Sequence, residues 1–310
     1  MPIINTDLKN ALDKRINYYK AEVIPEPGSF REIFDVDESF NGDSWKSSGM
    51  SFGDGMLETG RGVESRETKG HERAVATITT GRFANTMAWE RSKLQATGVN
   101  EGEVKKYVEF ISASAEQKKD KSCAAVINST ANIYDGNALF GTHPQDSNNT
   151  SGTDYTNTST SGTSFTETNI QAALTVLEDD NAFNEDGSPI EIKADVMLVT
   201  TTAQEMAAKA VLMATGKAGT AYNDANTLPD LKVVKWRNLY DSTSAATRAY
   251  WYLVASKGVN GNGFKFIAES GGLSTESELK PGSDTIVSYA NAYWGAGVNE
   301  WRHIVRHINA

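Results

Sequence analysis

A single cysteine, Cys123, stands in 310 residues. It excludes an internal disulfide framework and a cysteine zinc cluster, and it fits a reducing compartment during folding. Histidine is nearly as scarce, at four residues, and proline stops at seven. No apolar run approaches the roughly 18 residues of a membrane span. The opening MPIINTDLKNALDKR is charged by Asp7, where a secretory leader would carry an apolar core. The expectation is a chain made and folded in cytoplasm, without membrane contact. Positive charge is also in deficit: 30 Lys and Arg oppose 40 Asp and Glu, for a net charge of −10. Such a surface repels phosphate and lacks the electrostatic drive for tight nucleic-acid binding. What is present is an ordinary soluble composition, 39% apolar and 23% charged, with enough chain for a core that needs no staples.

The first apolar stripe is Leu8, Leu12, Ile16 and Tyr19, at helical spacing behind a possible Thr6 cap, and IPEPG ends it. This amphipathic arm either packs on its own domain or crosses to a neighbour, since one stripe does not name its partner. From Gly49 to Gly81 the chain is rich in glycine and in both signs of charge, with few large apolar residues before Val75 and Ile78. It reads as a long hairpin with a polar tip. A two-stranded ribbon is marginal alone in water, so its support has to come from elsewhere, for which a neighbouring subunit is one source.

Residues 101–128 form a long helix. Asn100 is placed to cap it, Glu101 and Glu103 suit its positive end, and Val104, Tyr107, Val108, Ile111 and Ala115 share a face continued by Cys123, Val126 and Ile127. At 1.5 Å per residue it spans about 40 Å, long for a compact domain. Lys118, Lys119 and Lys121 read as its solvated face. The segment 145–168 holds 13 Ser or Thr in 24 residues and is expected to be a surface loop. Beyond it, Thr168 with Gln171 and Thr201 with Gln204 have capping-box spacing. Strands are expected in PIEIKADVMLV, LKVVKW, AYWYLVAS and GFKFIAE. The alternating close DTIVSYANAYWGAGVNEWRHIVRHI needs a sheet to join. These elements predict an α+β fold containing a mixed sheet with helical cover.

Motifs that suggest chemistry lack their surroundings. GMSFG, Gly49 to Gly53, has the pattern of a nucleophile elbow around Ser51, yet neither a buried strand nor a helix flanks it. His143 has no acid at a recognisable triad or ligand spacing, and Pro144 holds it extended, so it reads as packing or linker. His303 and His307 are four apart but have strand pattern around them and no third ligand. TGKAG around Lys217 and GVNGNG read as turns, and DVDESFNGD and EDDNAFNEDG depart from calcium-loop spacing. No cofactor, metal or catalytic residue is predicted.

The order of arm, charged hairpin, long helix, YDGNALFGTHP, mixed domain and final strand run resembles the tailed-bacteriophage major capsid protein fold of the Hong Kong 97 type. The Asp135-Gly136, Leu139-Phe140 and His143-Pro144 series is further similar to the Mu-like major head subunit family. The resemblance implies an N-terminal arm at 1–48 and an extended loop at 49–81 that reaches over a neighbouring subunit. It implies a peripheral domain at 82–165 and 281–310, with the 101–128 spine helix, and an axial domain at 166–280. It implies subunit contacts by Leu8, Leu12, Ile16 and Tyr19 of the arm and by Glu58, Arg61, Glu64, Arg66 and Lys69 of the loop. The implied protein is an icosahedral shell subunit without enzymatic activity, assembled into pentamers and hexamers in a bacterial host cytoplasm and ending in the virion. Its partners would be itself, a separate scaffolding protein, a portal and a decoration protein, with packaged double-stranded DNA touched only weakly. Some members weld subunits through lysine and asparagine; Lys69 and Asn299 or Asn309 lie in the corresponding regions, without an assignable catalytic acid. The alternatives are an encapsulin-like nanocompartment, a hydrolase using Ser51, and an adhesin with a threonine-rich loop, the last opposed by the missing leader.

Overall fold

A computed structural model describes residues 5–47, 50–51, 71–72, 75–97, 100–146, 149–159, 165–185, 187–214, 226–240, 250–259, 263–270, 272–280 and 283–307. Two five-stranded sheets carry the fold. The first joins Phe34–Phe40, Phe264–Glu269 and Ser274–Leu279 to one side of Thr285–Val298, whose other side pairs with Gly81–Glu90. Phe34–Phe40 runs parallel to Phe264–Glu269, and the remaining pairs are antiparallel. The second has the order Lys232–Lys235, Val196–Val199, Trp251–Val254, Ile304–His307, Thr158–Ser159 and mixes parallel with antiparallel pairs. Its helical cover is Glu167–Thr175 and Thr202–Leu212.

The spine helix runs Glu101–Ile127, with the Asn100 side chain accepting from the Gly102 amide at 3.1 Å. Its first half packs Val104, Tyr107, Val108 and Ile111 against the arm and against Trp89, Ile286 and Ala290 of the first sheet. Its last turns bring Cys123, Ala124 and Ile127 into a second cluster with Phe264, Phe266 and Trp294 of one sheet and Leu198, Tyr252 and Ile304 of the other. The long helix is thereby buried at both ends by different cores. A third cluster seats Ile170, Leu177 and Ala208 on Met197, Val199 and Leu253.

Local expectations meet the structure unevenly. The Thr201–Gln204 capping box forms as expected, but the helix after the Ser/Thr segment is capped by Thr166, which accepts from Asn169 N at 3.2 Å; Thr168 lies within it. Thr6, the expected cap, falls within the bounds of the arm helix Asn5–Glu22. The Ser/Thr segment is partly strand: Asn149–Thr156 pairs with Thr142–Asp146. The buried Asn157 straps it down, donating to Leu139 O at 2.6 Å and accepting from Gly141 N at 3.1 Å. The boundaries at 166–280 and 281–310 do not follow the sheets. Phe264–Glu269 and Ser274–Leu279 belong with Thr285–Val298, while Ile304–His307 crosses into the sheet of Trp251–Val254.

The ribbon begins earlier than Gly49, where Ser44–Ser47 pairs antiparallel with Ala76–Thr79, and Met50–Ser51 then meets His71–Glu72. Its foot is seated in its own subunit. Ala76 and Ile78 are buried, and the strand Thr285–Val298 carries glycine where they approach. A Cβ at Gly295 would lie 2.5 Å from Thr79 O, and one at Gly297 would lie 2.6 Å from Ile78 Cγ1. These glycines are needed for close approach, because no side chain fits between strand and ribbon.

Gly295→Ala is expected to lower stability by about 1–3 kcal/mol, because its methyl meets backbone that cannot rotate away. Gly102→Ala, whose methyl would meet only Asn100 Oδ1 at 3.5 Å in the first helical turn, should be neutral or stabilising by up to about 1 kcal/mol. Urea unfolding of both variants checks the opposite signs.

Candidate assembly site

The arm stripe expected to meet a neighbour is instead used internally. Leu8, Leu12 and Ile16 are 5%, 0% and 1% exposed, within the cluster that includes Val104, Val108 and Ile111 of the spine. The reason is that arm and spine carry matching apolar faces, tethered by ion pairs of Arg15 with Glu101 and of Lys105 with Glu22. Tyr19 is half-buried at the margin of that cluster, while Tyr18 and Ile24 face outward. Glu58, Arg61, Glu64, Arg66 and Lys69 lie outside the described residues. Asn299 is 4% exposed, enclosed by the fold and not presented to a neighbour; Asn309 lies outside the described residues.

Beside the spine, the outer edge of Gly81–Glu90 is left without a strand partner among the described residues. Between that edge and the spine runs an open groove of about 500 Å³ lined by Met87, Trp89, Leu94, Lys106, Tyr107 and Phe110. Phe110 is 60% exposed at its rim. An unpaired strand edge above a groove that mixes these apolar groups with the charged Glu90, Lys93, Glu103 and Lys106 is a surface suited to another chain.

Elsewhere the fold is held by buried polar joints that single-sequence periodicity did not reveal. Asp120 sits on the apolar side of the spine at helical spacing from Cys123 and Ile127, where its carboxylate accepts from Phe30 N at 3.2 Å, from Trp236 Nε1 at 2.7 Å and from the Asn238 amide. It ties the segment after the arm and the loop after Lys232–Lys235 to one helix. The signal available was a lone acid on an apolar stripe beside three lysines. One of these, Lys119, is not simply solvated: it bonds Glu116 at 2.7 Å within a cluster that includes Arg31 and Glu38. Arg31 is pulled down by burial, but Glu38 and Glu116 together hold it above its ordinary value.

A second joint surrounds Arg302. Its guanidinium lies 3.1 Å from Glu300 and 3.3 Å from Glu185, donates to Gln145 O at 2.7 Å, and stacks over Trp301. Burial lowers its proton affinity, yet Glu300, Tyr134 and Glu185 more than restore it and hold it charged. Tyr134 donates to Glu300 at 3.0 Å. Four stretches of chain thus converge on one cation.

His143 does have an acid, contrary to the spacing argument. Its Nδ1 faces Asp135 Oδ2 at 2.6 Å, its Nε2 faces Leu139 O at 3.1 Å, and the ring stacks on Trp301 at 4.3 Å. A turn of the chain between Asp135 and His143 makes this pair, which a fixed-spacing search misses. With one nitrogen on the carboxylate and the other on a carbonyl, no face is left for a nucleophile, and the pair is structural. His307 stacks on Trp251 at 4.4 Å and His303 lies edge-on to Phe264 at 4.4 Å, and no metal-binding cluster occurs among the described residues. Ser51 lies in the two-residue strand Met50–Ser51, paired with His71–Glu72, and the residues that would complete an elbow lie outside the described ones. Burial raises the Cys123 thiol far above its ordinary range, so it is an inert core group. No helix among the described residues is long and apolar enough to cross a membrane.

Residues 74–307 match the model of a family described as phage capsid protein. No curated protein matches the sequence. Among solved structures, the chain is similar to the capsid of the cyanophage P-SCSP1u, with TM-score 0.56 and 10% identity over 93% of this chain and 90% of that one. The capsid of a native GTA particle matches with TM-score 0.55 and 15% identity over 93% and 92%. The capsid of Myoviridae phage XM1 matches with TM-score 0.55 and 14% identity over 91% of each chain.

Asp120→Ala leaves three donors without their acceptor and should cost about 3 kcal/mol or more, read as a fall in the urea midpoint. His303 supplies a pH test. Burial pushes it down to about 4, Glu300 pulling weakly upward, whereas an unfolded histidine titrates near ~6.5. The unfolded chain therefore binds the extra proton in that window, and stability falls as pH drops from 6.5 to about 4, by up to about 3 kcal/mol from this residue. His303→Phe should flatten that dependence in denaturation curves taken at successive pH values.

Proposed function

The chain belongs to the phage capsid protein family, and from that premise we propose that it is a major head subunit that closes a shell with copies of itself as pentamers and hexamers. The observation that carries this reading is the ribbon. Its foot is clamped to Gly295 and Gly297, while its paired legs lead away from the foot toward residues 52–70. In this reading the ribbon reaches over a neighbouring subunit, Glu58, Arg61, Glu64, Arg66 and Lys69 make contacts there, and the groove beside Phe110 belongs to the receiving side. Tyr18 and Ile24, and not the buried stripe of the arm, are the apolar groups the arm offers outward.

The role is structural. Scaffolding and portal functions come from separate chains, the assembled product is the virion shell, and assembly takes place in the host cytoplasm. The negative balance of the chain, −10, supports weak and non-specific contact with packaged DNA, since a strongly basic wall would hold the polymer. A nanocompartment shell is not favoured, because the family match and the similar structures are phage or phage-like capsids.

Purified wild-type protein viewed by negative-stain microscopy should show rings, shells or tubes. Deletion of residues 55–70 should leave circular dichroism and unfolding midpoint near wild type while assembly fails. A chain that stays monomeric under all conditions, or global unfolding of the deletion variant, contradicts the reading.

A further inference from the structure

Every described arginine that is at least half-buried has a carboxylate partner, with one exception. Arg15 pairs with Glu101, Arg31 with Glu38, Arg91 with Asp284 and Arg302 with Glu300. Arg306, on Ile304–His307 near the edge of the second sheet, has none among the described residues. Its guanidinium lies against two rings, 4.6 Å from the centroid of Phe140 and 4.9 Å from that of Tyr250. Its Nε is buried with no hydrogen-bond partner, whereas its terminal nitrogens are not enclosed and the residue is only half-buried.

A partly desolvated cation without a counter-charge is costly. Contact with both rings also restricts the flat fork of donors, so less freedom is left to lose when an anion binds. We propose that Arg306 is a receptor for a carboxylate carried by a second copy of this chain, which rests on the self-assembly proposed above. The partner follows from charge. Each copy carries 40 acidic against 30 basic residues, so it has carboxylates to spare, and the same surplus opposes a phosphate polymer. An unpaired arginine thereby becomes paired only on association, which couples its desolvation to assembly.

The test compares full-length wild type, Arg306→Gln and Arg306→Lys. Unassembled Arg306→Gln should match wild type in circular dichroism and urea midpoint. The protein concentration at which particles appear by light scattering should rise at least about tenfold. Arg306→Lys, which keeps charge but not the fork, should fall between. Wild-type assembly reports separately on the self-assembly reading, so its failure is distinct from failure of this assignment. Assembly of Arg306→Gln at the wild-type concentration overturns the assignment. So does loss of the subunit fold in both variants, which makes the ring contacts purely internal, or a loss confined to duplex-DNA binding, which makes the ligand a phosphate.

Discussion

A helix about 40 Å long cannot be covered by one small core, and the fold is arranged around that constraint. The first half of Glu101–Ile127 is buried by the arm and the first sheet, and its last turns are buried where both sheets meet. Asp120 stands where the helix enters that second core and converts a helical face into a joint, holding Phe30, Trp236 and Asn238 by their donors. Because three donors converge on it, the arm's exit, the spine and the loop after Lys232–Lys235 are tied to one carboxylate.

The same logic of convergence recurs at Arg302 and at His143, which share Trp301 between them. Arg302 and His143 are themselves buried; Arg302 gathers Glu185, Gln145 and, through Glu300, Tyr134 from distant stretches of chain, whereas His143 finds Asp135 and Leu139 eight and four residues back, across a turn. Polar groups so placed fix a unique geometry when they are satisfied. They explain why a chain with few catalytic residue types still has buried charged and histidine clusters. These clusters hold distant stretches of chain in register, and they lie apart from the edge of Gly81–Glu90 that has no strand partner among the described residues.

The ribbon illustrates how a glycine can speak for a segment far from it. Composition alone described residues 49–81 as a polar hairpin with no face to bury, yet its foot includes Ile78, which lies in contact with a strand more than two hundred residues later. The approach requires Gly295 and Gly297, which in the sequence look only like flexible positions in YWGAGV. The foot of the ribbon is thus held by its own subunit, through backbone approach that any larger residue at these two positions would block.

Periodicity and capping chemistry were sufficient for what is local. The spine with its Asn100 cap, the arm helix, the Thr201–Gln204 box and most strands follow from side-chain spacing and short-range hydrogen bonds. The order of those elements carried the family resemblance. Tertiary structure decided which surface each element spends internally. The arm stripe Leu8, Leu12 and Ile16 serves its own spine, Phe264–Glu269 and Ile304–His307 exchange sheets relative to the expected boundary, and His143 finds its acid across a turn. A sequence pattern specifies that a face is apolar or that a group can ionise. Which partner satisfies it depends on long-range closure of the chain, because burial and charge pairing act through space and carry no record of their partner in the local sequence.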